Sequence, residues 1–271
     1  MKAPRGMTIG VIGCGNMGSA LIRGMIRSRF VSPRGIIACD SNPGTLRRIA
    51  RTNKIRIAKS NREVAGASAV VLAVKPQQMG DVLDEIRSFV GRQSILISIA
   101  AGIPSRWIER RVGRPIPVVR VMPNTPALVG AGISAISAGR FATAASLKTA
   151  QRILSGVGEV VPVPERWMDA VTALSGSGPA YFFFLMEQMI QEGIHLGLSD
   201  AVARSLVVET ARGAAELASQ SKEKPDVLRA RVTSKGGTTE AAFREFEKGK
   251  LGTVIRRGIY AAAQRAKELA R

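Results

Sequence analysis

From residue 8 the chain alternates short apolar, β-branched runs with longer stretches in which apolar residues recur every three or four positions. Residues 8–12, 35–40, 55–58, 69–74, 94–100 and 116–122 read as strands, and the helix-like stretches among them set the rhythm of repeated βαβ units. Several runs are apolar at nearly every position, as a strand must be when helices cover both faces of a parallel sheet. Further strands are expected over 132–138 and 158–163, with a helix over 143–155 between them.

After about Glu165 the strand runs stop and long stretches rich in Ala, Leu, Glu and Arg follow. Helices are expected over 178–196, 199–220, 226–232, 237–248 and 253–270, with Ser199 and Thr253 as N-caps. The fold class is therefore α/β: a Rossmann-like, mostly parallel sheet domain over residues 1–165, then an all-α domain over 166–271. The first helical stretch, Ala180-Tyr-Phe-Phe-Phe-Leu-Met186 with Met189 and Ile190, is apolar on most of its circumference and must be buried on more than one side. A subunit interface and a core within the segment would both satisfy it.

Composition narrows the function classes. Of 271 residues, 45% are hydrophobic and 22% charged, which is ordinary for a folded protein and unlike a disordered one. The longest apolar runs are far too short to cross a bilayer, and the amino-terminal Met1–Met7 stretch lacks the apolar core of a signal peptide, so a cytoplasmic, membrane-free protein is expected. Two cysteines, Cys14 and Cys39, and the single His195 supply neither a disulfide framework nor a set of metal ligands. The net charge of +20 is concentrated in residues 1–165, which hold 24 Lys and Arg against 8 Asp and Glu. A solvated face or a field that draws in an anionic cofactor accounts for it. Nucleic acid is not expected, because no basic stretch is interleaved with aromatic rings.

The chemistry-bearing motifs lie at the ends of strands. Gly13-Cys14-Gly15-Asn16-Met17-Gly18 follows the first strand and opens a helix, the context that makes G-x-G-x-x-G a dinucleotide loop. Asp40 ends the second strand, where a carboxylate can hold an adenosine ribose and favour NADH; Ser41 and a run of arginines and lysines from Arg47 to Arg62 leave NADPH open. Ala73-Val74-Lys75-Pro76 closes the fourth strand, on the cofactor side of such a sheet. Met122-Pro-Asn124-Thr-Pro126 follows the sixth, a stiff loop offering the Asn124 amide.

Two glycine-rich turns, Ser175-Gly-Ser-Gly-Pro179 and Ser234-Lys-Gly-Gly-Thr-Thr239, each precede a helix and are expected to cradle a small anion on free backbone N–H groups. His195 reads as a packed histidine and Cys14 as a packed thiol, so no nucleophile–base set can be assembled. A reaction in which a nicotinamide supplies the hard chemistry needs neither.

In order, and over nearly the whole chain, the glycine loop, Ala73–Pro76, Ser98-Ile-Ala-Ala-Gly102, Met122–Pro126, Ser175–Tyr181 and Ser234–Thr239 resemble pyrroline-5-carboxylate reductase. The resemblance implies reduction of Δ1-pyrroline-5-carboxylate to L-proline by NADPH or NADH in an amino-terminal Rossmann domain, followed by a helical dimerisation domain in which two subunits intertwine. By position it places Ser41, Asn61, Lys75 and Ala101 along the cofactor. Ser234, Gly236, Gly237, Thr238 and Thr239 would hold the imino acid, with Thr239 as the catalytic hydrogen-bonding residue and Glu165 as an acidic substrate-side residue. Arg231, where an uncharged residue is expected, and Asp40 depart from the family pattern.

Overall fold

The computed structural model describes Pro4 and residues 6–269. Residues 1–3 and 5 of the amino-terminal stretch, and the expected end of the last helix at Ala270, lie outside the described residues. The chain divides into two compact units, one comprising residues 1–177 together with 262–271, the other residues 178–261.

The first unit is built on an eight-stranded sheet. Strands β1 (Ile9–Ile12), β2 (Ile36–Cys39), β3 (Arg56–Ile57), β4 (Ala69–Leu72), β5 (Ile95–Ser98), β6 (Val118–Met122), β7 (Gly132–Ala138) and β8 (Gly158–Pro162) lie in the order β3-β2-β1-β4-β5-β6-β7-β8. All pairs are parallel except β6 with β7, which meet antiparallel with Val119 opposite Ala138. The order reverses at β1, with β2 on one side and β4 on the other, and this is the switch point at which open α/β sheets bind ligands.

Helices α1 (Asn16–Arg27), α2 (Pro43–Asn53), α3 (Asn61–Ala65), α4 (Met79–Ile86), α5 (Ser105–Val112) and α6 (Ala144–Leu154) connect these strands. They bury two apolar layers, one around Ile9, Val11, Leu21, Met25 and Ile153, the other around Val70, Leu72, Met79, Leu83, Leu96 and Ile108. The all-apolar runs are thus strands covered on both faces. Strand 55–58 shrinks to the two residues of β3, both exposed, because it forms the sheet edge.

Past β8 come the four-residue α7 (Met168–Val171) and a wide turn over Thr172–Gly176 closed by the Ser177 N–H on the Thr172 carbonyl at 2.9 Å. The second unit then holds α8 (Gly178–His195), α9 (Asp200–Gln220), α10 (Pro225–Arg231), α11 (Thr238–Lys248) and most of α12 (Leu251–Leu269). Ser199 caps α9 through the Val202 amide as expected. Thr253 does not cap α12, which starts at Leu251 after Lys250 takes a left-handed φ of 53°.

The apolar helix α8 has only Gly178 buried within the chain; Phe182, Phe183 and Phe184 are each more than 60% exposed. A core within the segment is therefore not what covers it. His195, expected to be packed, is exposed at the last position of α8.

Candidate active site

The glycine loop is shaped by contacts that a side chain would break at two positions and by open space at the third. Gly13 has φ +95°, and a Cβ there would lie 2.5 Å from the Ala73 carbonyl oxygen; one on Gly18 would lie 2.0 Å from the Gly13 carbonyl oxygen. A Cβ on Gly15 would meet nothing within 4 Å. Gly15 is also the N-cap of α1, which no side chain caps, so the positive end of the helix dipole faces the space beside an exposed Gly15 and Asn16. Met17, half-buried, packs its side chain onto the core.

Asp40 leaves the end of β2 and closes the loop from below. Its Oδ2 accepts the Cys14 N–H at 2.5 Å and its Oδ1 accepts the Asn42 N–H at 2.7 Å. Cys14 is fully buried, and burial, with the Asp40 charge second, pushes its thiol up to about 12. It stays protonated and is no nucleophile. Ser41 is exposed, and the Asn61 side-chain amide donates to Glu85 Oε2 at 2.7 Å. Beyond β4, half-buried Ala73 and Val74 lead to an exposed Lys75 and to a short turn over Pro76–Gln78; beyond β5, Ala101 is exposed.

The structure thus brings the loop, Asp40, Ser41, Ala73–Pro76 and Ala101 to the carboxyl edge of one sheet. Asn124 is there too, but as a brace: its Oδ1 accepts the Ile133 N–H at 3.0 Å and its Nδ2 reaches Ser175 Oγ at 3.4 Å.

Glu165, read as a substrate-side residue, is held by partners of its own in the first unit. Its carboxylate caps the start of α5, accepting the Ser105 N–H at 2.7 Å and the Ser105 hydroxyl at 2.5 Å, and it pairs with Arg120 Nη1 at 3.3 Å. Arg120 sits on β6 with a side chain only 7% exposed, and Glu165 and Asp169, the latter 4.0 Å from Nη2, together neutralise this buried cation. The three donors give this carboxylate a structural task within the first unit.

In the second unit the Ser234–Thr239 turn opens α11, whose N-cap, Gly237, offers no side-chain cap. Gly236 takes φ +73°, and its amide, expected to be free, donates to Glu240 Oε2 at 2.8 Å, which also accepts from Arg244 at 3.0 Å. The Gly237 amide closes on the Ser234 carbonyl at 3.0 Å. What remains toward a ligand is the first turn of α11, with the hydroxyls and amides of Thr238 and Thr239. The other expected cradle, Ser175–Pro179, is not an open nest, because its backbone is taken into the wide turn and the start of α8.

Comparison with known proteins decides the family. The pyrroline-5-carboxylate reductase dimerisation model matches residues 165–269, and the model for NADP oxidoreductase, coenzyme F420-dependent, matches residues 8–102. A pyrroline-5-carboxylate reductase of Pseudomonas aeruginosa is 44% identical over 100% of this chain and 98% of its own length. The chain belongs to the pyrroline-5-carboxylate reductase family. The family enzyme of Corynebacterium melassecola is 40% identical over 97% of this chain and 98% of its own. A solved reductase from Coxiella burnetii superposes with a TM-score of 0.92 at 35% identity, covering 98% of this chain and 99% of that one. A Plasmodium falciparum reductase structure with NADP bound gives 0.87 at 29% identity, covering 98% and 99%.

The residues at the sheet edge fit a nicotinamide dinucleotide. Open space where a Gly15 side chain would stand and an uncapped α1 suit a pyrophosphate, and Asp40 is positioned for a ribose.

One residue of this reductase's second unit escaped the motif reading. Glu223 pairs with Arg231 at 2.5 Å, and its other oxygen, Oε2, is buried without a hydrogen-bond partner among the described residues. Its surroundings in sequence, Ser221-Lys-Glu-Lys-Pro225, look like a solvated loop. No side-chain period or motif in the sequence marks it, since its partner, the exposed Arg231, lies eight residues on.

Proposed function

We propose that this chain reduces Δ1-pyrroline-5-carboxylate to L-proline with NADPH or NADH, the closing step of proline biosynthesis, as a cytoplasmic homodimer. The observation that carries the reading is the pair of helix starts that no side chain caps: α1 beside Gly15 for a pyrophosphate, and α11 at Thr238 and Thr239 for a small carboxylate. Residues 1–165 are assigned to the cofactor and 166–271 to substrate and dimerisation. The exposed phenylalanines of α8 and the dimerisation-family match over 165–269 support the dimer. No helix among the described residues is long and apolar enough to cross a membrane.

The bound nicotinamide would supply the hydride to the imine carbon. The chain's task is to hold that carbon in place and keep the proton on nitrogen. Thr238 and Thr239, at the positive end of α11, bind the substrate carboxylate, while Ser234 and Gly236–Gly237 shape the turn behind them. The Thr239 hydroxyl accepts a hydrogen bond from the protonated ring nitrogen, which favours the iminium, the better hydride acceptor. Orientation provides much of the remaining acceleration.

Replacing Thr239 with Ala tests this. A hydrogen bond to a charged group contributes about 1.5–3 kcal/mol, so kcat/KM with pyrroline-5-carboxylate should fall roughly tenfold to more than a hundredfold. A loss under twofold removes Thr239 from the mechanism.

A further inference from the structure

We infer that Asp40 makes this chain select NADH over NADPH, an assignment that rests on reading the glycine loop as a nicotinamide-dinucleotide site. The two cofactors differ by a 2′-phosphate on the adenosine ribose, and the end of the second strand is where a Rossmann sheet meets that ribose. A phosphate there needs hydrogen-bond donors and positive charge. This strand end offers a carboxylate that is fixed in place and a helix start whose donors are largely spent.

The carboxylate is fixed because both of its oxygens hold backbone amides, Oδ2 that of Cys14 in the glycine loop and Oδ1 that of Asn42. Turning Asp40 away to admit a phosphate would strand two amides and loosen the loop that grips the pyrophosphate. Each oxygen retains a second lone pair, which a ribose hydroxyl can use as donor and a phosphate cannot.

The start of α2 is spent in the same way. The Asn42 amide is given to Asp40, Pro43 has no N–H, and the Thr45 amide is given to the Asn42 side chain at 3.0 Å. Gly44 and Ser41 remain as donors. On the other flank Asn61 gives its side-chain amide to Glu85.

The local field points the same way. Cys39, next to Asp40, has its thiol pushed up first by burial and then by the charges of Glu85, Asp40 and Glu63. Among the described residues no ion pair joins a cation to Asp40. In the basic run from Arg47 to Arg62, Arg62 lies over the Phe89 ring at 5.3 Å, and Arg47, Arg48, Arg51, Lys54, Arg56 and Lys59 are exposed. To hold a 2′-phosphate they would have to outweigh an unneutralised carboxylate at contact.

The test is calorimetric titration of the full-length wild-type protein with NAD+ and with NADP+, alongside steady-state kinetics with NADH and NADPH. The expected result is at least tenfold tighter binding of NAD+ and a kcat/KM preference in the same direction. Equal or tighter binding of NADP+ overturns the inference while leaving the reductase reading in place; binding of neither nucleotide overturns that reading itself. Asp40→Asn, which removes the charge and one of the two acceptors of backbone amides, should narrow the NAD+ preference at least fivefold with unchanged circular dichroism. An unchanged ratio in a folded variant overturns the role given to Asp40, and the wild-type comparison decides the preference even if the variant does not fold.

Discussion

The two units of this reductase solve burial in opposite ways. In the sheet unit, the large apolar side chains of β1, β2, β4, β5 and β6 and of the helices against them are almost all inaccessible to solvent. In the helical unit, only Ala203 and Val207 join the apolar residues buried within the chain, while Phe182, Phe183, Phe184, Leu185, Leu206 and Leu217 are each at least half exposed. One unit closes its own core. The other leaves a run of large apolar side chains uncovered within the chain, the surface that the proposed second copy would bury.

The sharpest way to break this contrast is a charge on the apolar face. Phe183→Glu should shift the protein to monomer in analytical ultracentrifugation and lower reductase activity by more than a hundredfold, because a buried carboxylate without a partner outweighs several kcal/mol of interface contacts. A dimer that survives would mean that α8 faces something other than its own copy.

A smaller effect is expected at Glu165. Glu165→Ala leaves the buried Arg120 with only Asp169, whose Oδ1 lies 4.0 Å from its Nη2, and removes the carboxylate that holds the start of α5, which should cost about 1–3 kcal/mol in urea unfolding. KM for the imino acid in the folded fraction should stay within twofold. A KM rise of tenfold or more would return Glu165 to the substrate site.

The smallest effect is at Cys14. Its thiol is raised from 9.0 to about 12 in the folded protein, so the unfolded thiol ionises first as pH rises. The contribution is intact below about pH 9 and is lost progressively as pH rises toward 12. Urea midpoints should therefore fall less between pH 8 and 10.5 for Cys14→Ala than for the wild type.

The strands of the sheet unit were legible because burial on both faces leaves an uninterrupted apolar run, and the glycine loop because at two of its positions any Cβ would come within 3 Å of a backbone carbonyl oxygen. Other features were hidden for physical reasons. The wide turn over Thr172–Gly176 follows no side-chain period, so Ser175–Pro179 read as an open nest. Glu165 looked available because its partner, Arg120, lies 45 residues earlier. An arginine inside the apolar run Val118–Met122 is the one trace it left in the sequence. The amide of Gly236 looked free because nothing in a glycine reveals that Glu240 will reach back to it.

The last turns of α12 belong with the sheet unit, where Ala266 is buried and the Leu269 carbonyl packs so close to Gly102 that a methyl group there would come within 2.9 Å of it. The helical unit is therefore an insertion in the polypeptide rather than an appendage to it. Anyone wishing to express the nucleotide-binding half alone should supply the end of α12 along with it, since a stop codon after 177 would discard a piece that this half packs against.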